Sequence, residues 1–209
     1  VVSIDAANSG SAEGAANDQG DVLGIGFAVQ NDVGAISILS EGKNIFGYSL
    51  NDGKTWDGGE KYGLVVGPGN QSTFVQAAVV VRDVDGTPTF GVELLVEEND
   101  TNSSVFVEIP GIEAPVSGLG DPNMQIAVDL DLTPGSATAI ARARYVTDSA
   151  YTEWVETPAI AIPQDVISAI RGTYQNGAQT TGAFVGLLAT TEEGDDSFGA
   201  DWDLVEITG

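Results

Sequence analysis

Met124, Ile126, Val128, Leu130 and Leu132 alternate strictly with Gln125, Ala127, Asp129 and Asp131. This spacing predicts a strand with one face in a core and the other facing water or a ligand. Thr73 to Val81 reads differently, because Phe74, Val75, Ala77, Ala78, Val79, Val80 and Val81 leave neither face polar. It predicts a central strand covered on both sides. Further short runs rich in Val, Ile, Phe and Thr predict strands at Val22 to Val29, Ile36 to Leu39, Ile45 to Leu50, Tyr62 to Val66, Thr89 to Val96, Val105 to Ile109, Thr138 to Tyr145, Phe184 to Ala189 and Asp201 to Ile207. Turns of Gly, Asn, Asp and Pro separate them. After Pro163 the period changes: Val166, Ile167 and Ile170 share a helical face and Gly172 suits a stop, so one short helix is expected. The pattern as a whole is all-β, a single two-sheet antiparallel β-sandwich over residues 1–209. Ser9 to Gly20, rich in Gly, Ala, Ser and Asn, reads as a mobile loop.

Composition narrows the chemistry. Seven Lys and Arg stand against 31 Asp and Glu, giving a formal charge of −24, and the chain has neither His nor Cys. Thiolate metal sites, Cys or Ser-His nucleophiles and histidine acid-base work therefore lack their side chains. Nucleic acid and anionic membranes are unsuitable partners, since both are gripped by cations. With 42% hydrophobic and 18% charged residues the chain can bury a core, and no apolar run approaches a membrane span. The start at Val1, without Met or a basic flank, reads as a piece of a larger multidomain chain. Binding or structure is expected rather than catalysis, and no carboxylate pair is singled out for glycoside hydrolysis.

Clustered carboxylates suit hard divalent cations, calcium above all. Glu192-Glu193-Gly194-Asp195-Asp196 places Glu193, Asp195 and Asp196 in one connection, where repulsion calls for solvent or a cation. Asp83-Val84-Asp85-Gly86 spaces Asp83 and Asp85 like the opening of a calcium loop. In the last strand Trp202 and Leu204 are expected in the core, with Asp201 and Asp203 outside, solvated or bound to a cation.

The turn Thr133-Pro134-Gly135-Ser136 joins the alternating strand to a second one, on which Ile140, Arg142 and Arg144 point one way and Ala139, Ala141, Ala143 and Tyr145 the other. An even-sized hairpin loop puts Asp129 and Asp131 on the face of Arg142 and Arg144. Two readings are open: a solvated charge ladder, or a ligand face on which Arg forks toward a carboxylate or sugar hydroxyls while Asp accepts hydroxyl donors. Tyr145, Tyr151 and Trp154 follow around a turn with Asp148 and Glu153. Aromatic faces stack on the apolar side of sugar rings, and Tyr151 is the best candidate for exposure, with Tyr145 and Trp154 expected to fill the core. Asn51-Asp52-Gly53-Lys54-Thr55-Trp56-Asp57 reads as a hairpin tip from which Trp56 could cap a groove.

Phe184-Val185-Gly186-Leu187-Leu188-Ala189-Thr190-Thr191 and Phe198-Gly199-Ala200-Asp201-Trp202-Asp203-Leu204-Val205-Glu206-Ile207 resemble the two closing, mutually paired strands of concanavalin A-like, laminin-G-like β-sandwich modules. The segment is also similar to modules near the tips of acidic, cysteine-poor repeats-in-toxin (RTX) adhesins of aquatic bacteria. The resemblance implies a jelly-roll fold and a non-catalytic, extracellular or cell-surface adhesin module that binds carbohydrate with help from calcium. Its alternatives are a peptide-binding module in which Arg142, Arg144 or calcium holds a terminal carboxylate, and a structural subunit of a surface filament or layer whose Ser9 to Gly20 segment pairs with a neighbour's sheet edge.

Overall fold

The computed structural model describes residues 2–6, 22–27, 29, 33–43, 59–69, 72–113, 123–147, 150–172, 174–175, 178–179, 182–190 and 198–209. The expected strand at Ile45 to Leu50, the hairpin tip carrying Trp56, Ser9 to Gly20, Asp148 and the acidic connection with Glu193, Asp195 and Asp196 lie outside them.

Two antiparallel sheets and one short helix form a β-sandwich. Sheet A contains β1 (Val2–Ala6), β3 (Ala35–Lys43), β8 (Met124–Asp131), β9 (Thr138–Thr147), β10 (Ala150–Tyr151) and β16 (Phe198–Thr208) in the order β1-β16-β3-β8-β9-β10. The short β11 (Val155–Glu156) and β12 (Ile160–Ala161) continue along β9. Sheet B contains β2 (Val22–Phe27), β4 (Lys61–Gly67), β5 (Thr73–Val84), β6 (Thr87–Glu98), β7 (Thr101–Glu113) and β15 (Ala183–Thr190) in the order β2-β15-β4-β5-β6-β7. A hairpin of β13 (Tyr174–Gln175) and β14 (Ala178–Gln179) stands apart. The first four strands alternate between the sheets and the last two return to them, which is a jelly-roll arrangement.

The alternation read from the sequence sets the core. Ile126, Val128 and Leu130 of β8 and Ala139, Ala141 and Ala143 of β9 face Leu64, Val66, Val75, Ala77, Val79, Val92 and Leu94 of sheet B, all buried. Each fully buried Val, Leu or Ile side chain contributes about 1.5–3 kcal/mol. Trp202 stacks on Tyr62 across the sandwich with ring centres 4.6 Å apart and planes 11° from parallel. The helix α1 (Gln164–Arg171) adds Val166, Ile167 and Ile170 to the same core. Gly172, at φ 72°, ends it and donates its N–H to Ser168 O. Thr73 to Val81 is buried throughout, so the outer face of sheet B is covered at its centre, while that of sheet A carries the half-buried Glu41, Asp129, Arg142 and Arg144.

Two expectations for the closing strands need correcting. β15 and β16 do not pair: β15 lies between β2 and β4 in sheet B and β16 between β1 and β3 in sheet A, because the connection between them crosses from one sheet to the other. Leu204 is not in the core. The register shifts between Trp202 and Leu204, so Asp203 is an extra residue that reverses the alternation and leaves Leu204 42% exposed opposite Glu41.

Candidate functional site: an arginine and aromatic shelf on sheet A

The outer face of sheet A is built by register. Pairing of β8 with β9 sets Gln125 opposite Arg144 and Asp129 opposite Ile140, and pairing of β3 with β8 sets Glu41 opposite Gln125. Glu41, Gln125 and Arg144 therefore form one row across three strands. The chain then turns back along β9, pairing Tyr151 with Val146 and Val155 with Ala143. Thr152 locks the return by exchanging hydrogen bonds with the Tyr145 backbone, its N–H donating to Tyr145 O at 2.8 Å and its Oγ1 accepting from Tyr145 N at 3.3 Å.

This return sets aromatic rings against the guanidinium groups. Arg144 Cζ lies 4.6 Å from the Tyr151 ring centre and 4.3 Å from that of Trp154. Arg142 Cζ is 4.8 Å from the same Trp154 ring. Such contacts are worth about 0.5–1 kcal/mol each when exposed and more when desolvated. Arg142 Nε also pairs with Asp129 Oδ2 at 2.9 Å. Arg144 Nε donates to Gln125 Oε1 at 2.8 Å, and Gln125 Nε2 donates to Glu41 Oε2 at 2.7 Å. The Tyr151 phenol is pushed up to about 12, by burial first and then by donating to the Glu41 carboxylate.

Of the expected ligand residues, Asp129, Arg142, Arg144 and Tyr151 thus come together. Asp131 shares their face but is turned to the hairpin loop, where hydrogen bonds first from the Thr133 side chain and then from the Thr133 N–H, 2.8 Å from Oδ1, hold its carboxyl below the usual range. Tyr145 is buried as expected, its hydroxyl donating to Pro110 O at 3.0 Å. Trp154 is not core filling. It is half-buried on the outer face, because its place one residue before the Val155–Ala143 pair directs it toward the arginines. Glu41, Gln125 and Trp154 are the shelf residues that sequence reading did not select. Gln125 was visible in the polar half of the Met124 to Leu132 alternation, whereas Glu41 depended on a strand pairing that no local pattern reveals.

The metal candidates are dispersed. Asp83 and Asp85 belong to a tight hairpin between β5 and β6, with Asp85 at φ 55° and Gly86 at φ 80°. Asp83 Oδ1 accepts Gly86 N–H at 2.6 Å, so this turn is closed by its own carboxylate. Asp203 is exposed at the bulge of β16, one residue from Trp202 and two from Asp201. Among the described residues no group of three acidic side chains is close enough to hold an ion. A shallow cavity of about 430 Å³ opens beside α1 between Val33, Leu132, Pro134 and Arg171. Its arginine is committed to the main chain, with Nη2 donating to Val33 O at 2.9 Å and Leu132 O at 3.2 Å.

Fold and face together define a β-sandwich with a polar, aromatic-lined outer sheet. No protein-family profile matches the chain, and no curated protein matches it in sequence. Among solved structures it is similar to the GH43 protein BlXynB from Bacillus licheniformis, with TM-score 0.50 and 10% identity over 90% of this chain. A bifunctional GH43-CE protein of Bacteroides eggerthii follows, with TM-score 0.43 and 14% identity over 90% of this chain. The chain spans 33% of the first protein and 20% of the second, and the first likeness supports the sandwich fold.

Proposed function

We propose that this chain is a non-catalytic recognition module of a bacterial adhesin, extracellular or on the cell surface, that binds carbohydrate on the outer face of sheet A. The observation that carries this reading is the shelf itself: Tyr151 and Trp154 flank the Arg144 guanidinium, Gln125 and Glu41 lie in its row, and Trp154 also meets Arg142, which is paired with Asp129. Sugar recognition needs flat apolar surface next to planar donors and acceptors held in fixed directions, and these side chains hold one another so. The carboxylates do not resemble an acid and base pair. Asp129 is tied to Arg142, and Glu41 accepts from both Gln125 and Tyr151, so neither is placed to move a proton at a substrate.

Calcium belongs to the proposal through Glu193, Asp195 and Asp196, joined by Asp201 and Asp203 on the strand that follows. Its role there is to relieve repulsion between the carboxylates. The test is a glycan array probed with the wild-type chain and with Trp154→Ala, each in calcium and in chelator. Glycan spots lost in Trp154→Ala are expected. An array without positives, or positives that survive Trp154→Ala, would remove the shelf from the reading.

A further inference from the structure

Each of the other arginines has an acceptor on its terminal Nη2 nitrogen, and among the described residues Arg144 has an acceptor only on Nε. Arg82 is paired with Glu93, Arg142 with Asp129, and Arg171 with the carbonyls of Val33 and Leu132. Among the described residues Arg144 makes no ion pair, although the chain carries a charge of −24. Gln125 is interposed between Glu41 and Arg144, its carbonyl facing the guanidinium and its amide nitrogen facing the carboxylate. Tyr151 and Trp154 hold the guanidinium plane, and Gln125 engages Nε. The Nη1 and Nη2 edge then has no protein acceptor among the described residues.

With the shelf read as a glycan site, we infer that Arg144 receives a carboxylate of the bound sugar, end-on through Nη1 and Nη2, so that the ligand is a glycan bearing a sugar acid such as a hexuronate. A planar fork of two N–H-bearing nitrogens matches the two oxygens of a carboxylate, and the pair is charge-assisted. The Glu41 carboxylate across Gln125 and the Asp129 carboxylate held by Arg142 suit hydroxyls of the same glycan, which donate to them. A peptide terminus fits the place less well. An extended peptide adds to an open strand edge, whereas β9 is covered by β8 on one side and by β10, β11 and β12 on the other. The negative field of the chain selects isolated acidic residues over polyanions.

The experiment is calorimetric titration with a panel of oligosaccharides that each carry one uronate, alongside the same oligosaccharides with the carboxyl reduced to a hydroxymethyl group. At least one acid form is expected to bind at least about tenfold tighter than its reduced partner. Arg144→Gln is expected to bring the two to equal affinity. Equal affinities in the wild type, or an acid preference that persists in Arg144→Gln, overturn the carboxylate assignment and leave the glycan reading standing. Binding to neither form of any member overturns both. Binding of a free-carboxyl peptide but not its amide, without glycan binding, replaces the sugar by a protein partner. Should Arg144→Gln fail to fold, the wild-type comparison of acid and reduced forms decides alone.

Discussion

The Arg144 guanidinium carbon stands 4.3 Å from the centre of the Trp154 ring, on the open face of sheet A. Arg142 approaches the same ring at 4.8 Å, so one indole orders both cations of the shelf. Trp154→Ala removes that support together with the apolar surface. Because Trp154 is half-buried and outside the core, the sandwich should remain folded, with the melting midpoint lowered by only a few degrees. Affinity for any glycan that binds the wild type should fall by at least about tenfold. Parallel melting and calorimetry check both halves of this expectation.

Asp129 and Arg142 form a half-exposed pair, with side-chain exposures of 35% and 28%. Asp129→Ala should therefore cost only about 0.2–1 kcal/mol, read from the denaturation midpoint, and less at high salt. A loss of several kcal/mol would mean that Asp129 supports the fold rather than the shelf.

Tyr151 provides a pH signature. Its folded pKa is raised from 10.0 to about 12, first by burial and then by its bond to Glu41. A raised acid contributes stability that is fully present below pH 10 and is lost as pH climbs toward 12. Among the five tyrosines, absorbance at the tyrosinate band should show a late-ionising component that Tyr151→Phe abolishes. Tyr151→Phe should also melt with a shallower decline across that alkaline window. Unchanged titration in Tyr151→Phe would contradict the Glu41 contact.

On sheet B, Gly91 is required by a close approach. A Cβ there would lie 2.2 Å from the ring of Phe106 and 2.7 Å from the carbonyl of Val107. Phe106 in turn lies 4.6 Å from the Arg82 guanidinium. Gly91→Ala must displace that ring, and chemical denaturation should register a loss of about 1–3 kcal/mol.

Saturating a specific ion site stabilises by about 2.7 kcal/mol at a hundredfold excess over Kd. If the connection carrying Glu193, Asp195 and Asp196 holds calcium, chelator should lower the melting midpoint and Asp195→Asn with Asp196→Asn should erase the difference. An unchanged midpoint on chelation would remove calcium from the account.

How far the residues disclosed this arrangement depends on the range of the interaction. The alternation at Met124 to Leu132, the doubly apolar Thr73 to Val81 and the helix carrying Val166, Ile167 and Ile170 depend on local periodicity, and all were legible. So was the sharing of a face by Asp129 and Arg142, which a hairpin of known loop size dictates. Thr101–Ser104 of β7 was not, because exposed polar residues on a strand give no apolar run to detect. Leu204 was misplaced because one inserted residue at Asp203 reverses every later side chain, and nothing local marks the bulge. Trp154 and Glu41 were missed for a third reason: their roles arise from strands that meet only in three dimensions, and a large aromatic ring is apolar enough to pass for core.

The shelf can be tested most directly by fluorine NMR of the chain labelled with 5-fluorotryptophan, whose three resonances report Trp56, Trp154 and Trp202 separately. On titration with a glycan that the array identifies, the Trp154 signal, assigned by its absence in Trp154→Phe, should shift or broaden in proportion to binding while that of buried Trp202 stays in place. A bound glycan that leaves Trp154 unmoved, or moves only Trp56, would contradict recognition on the outer face of sheet A.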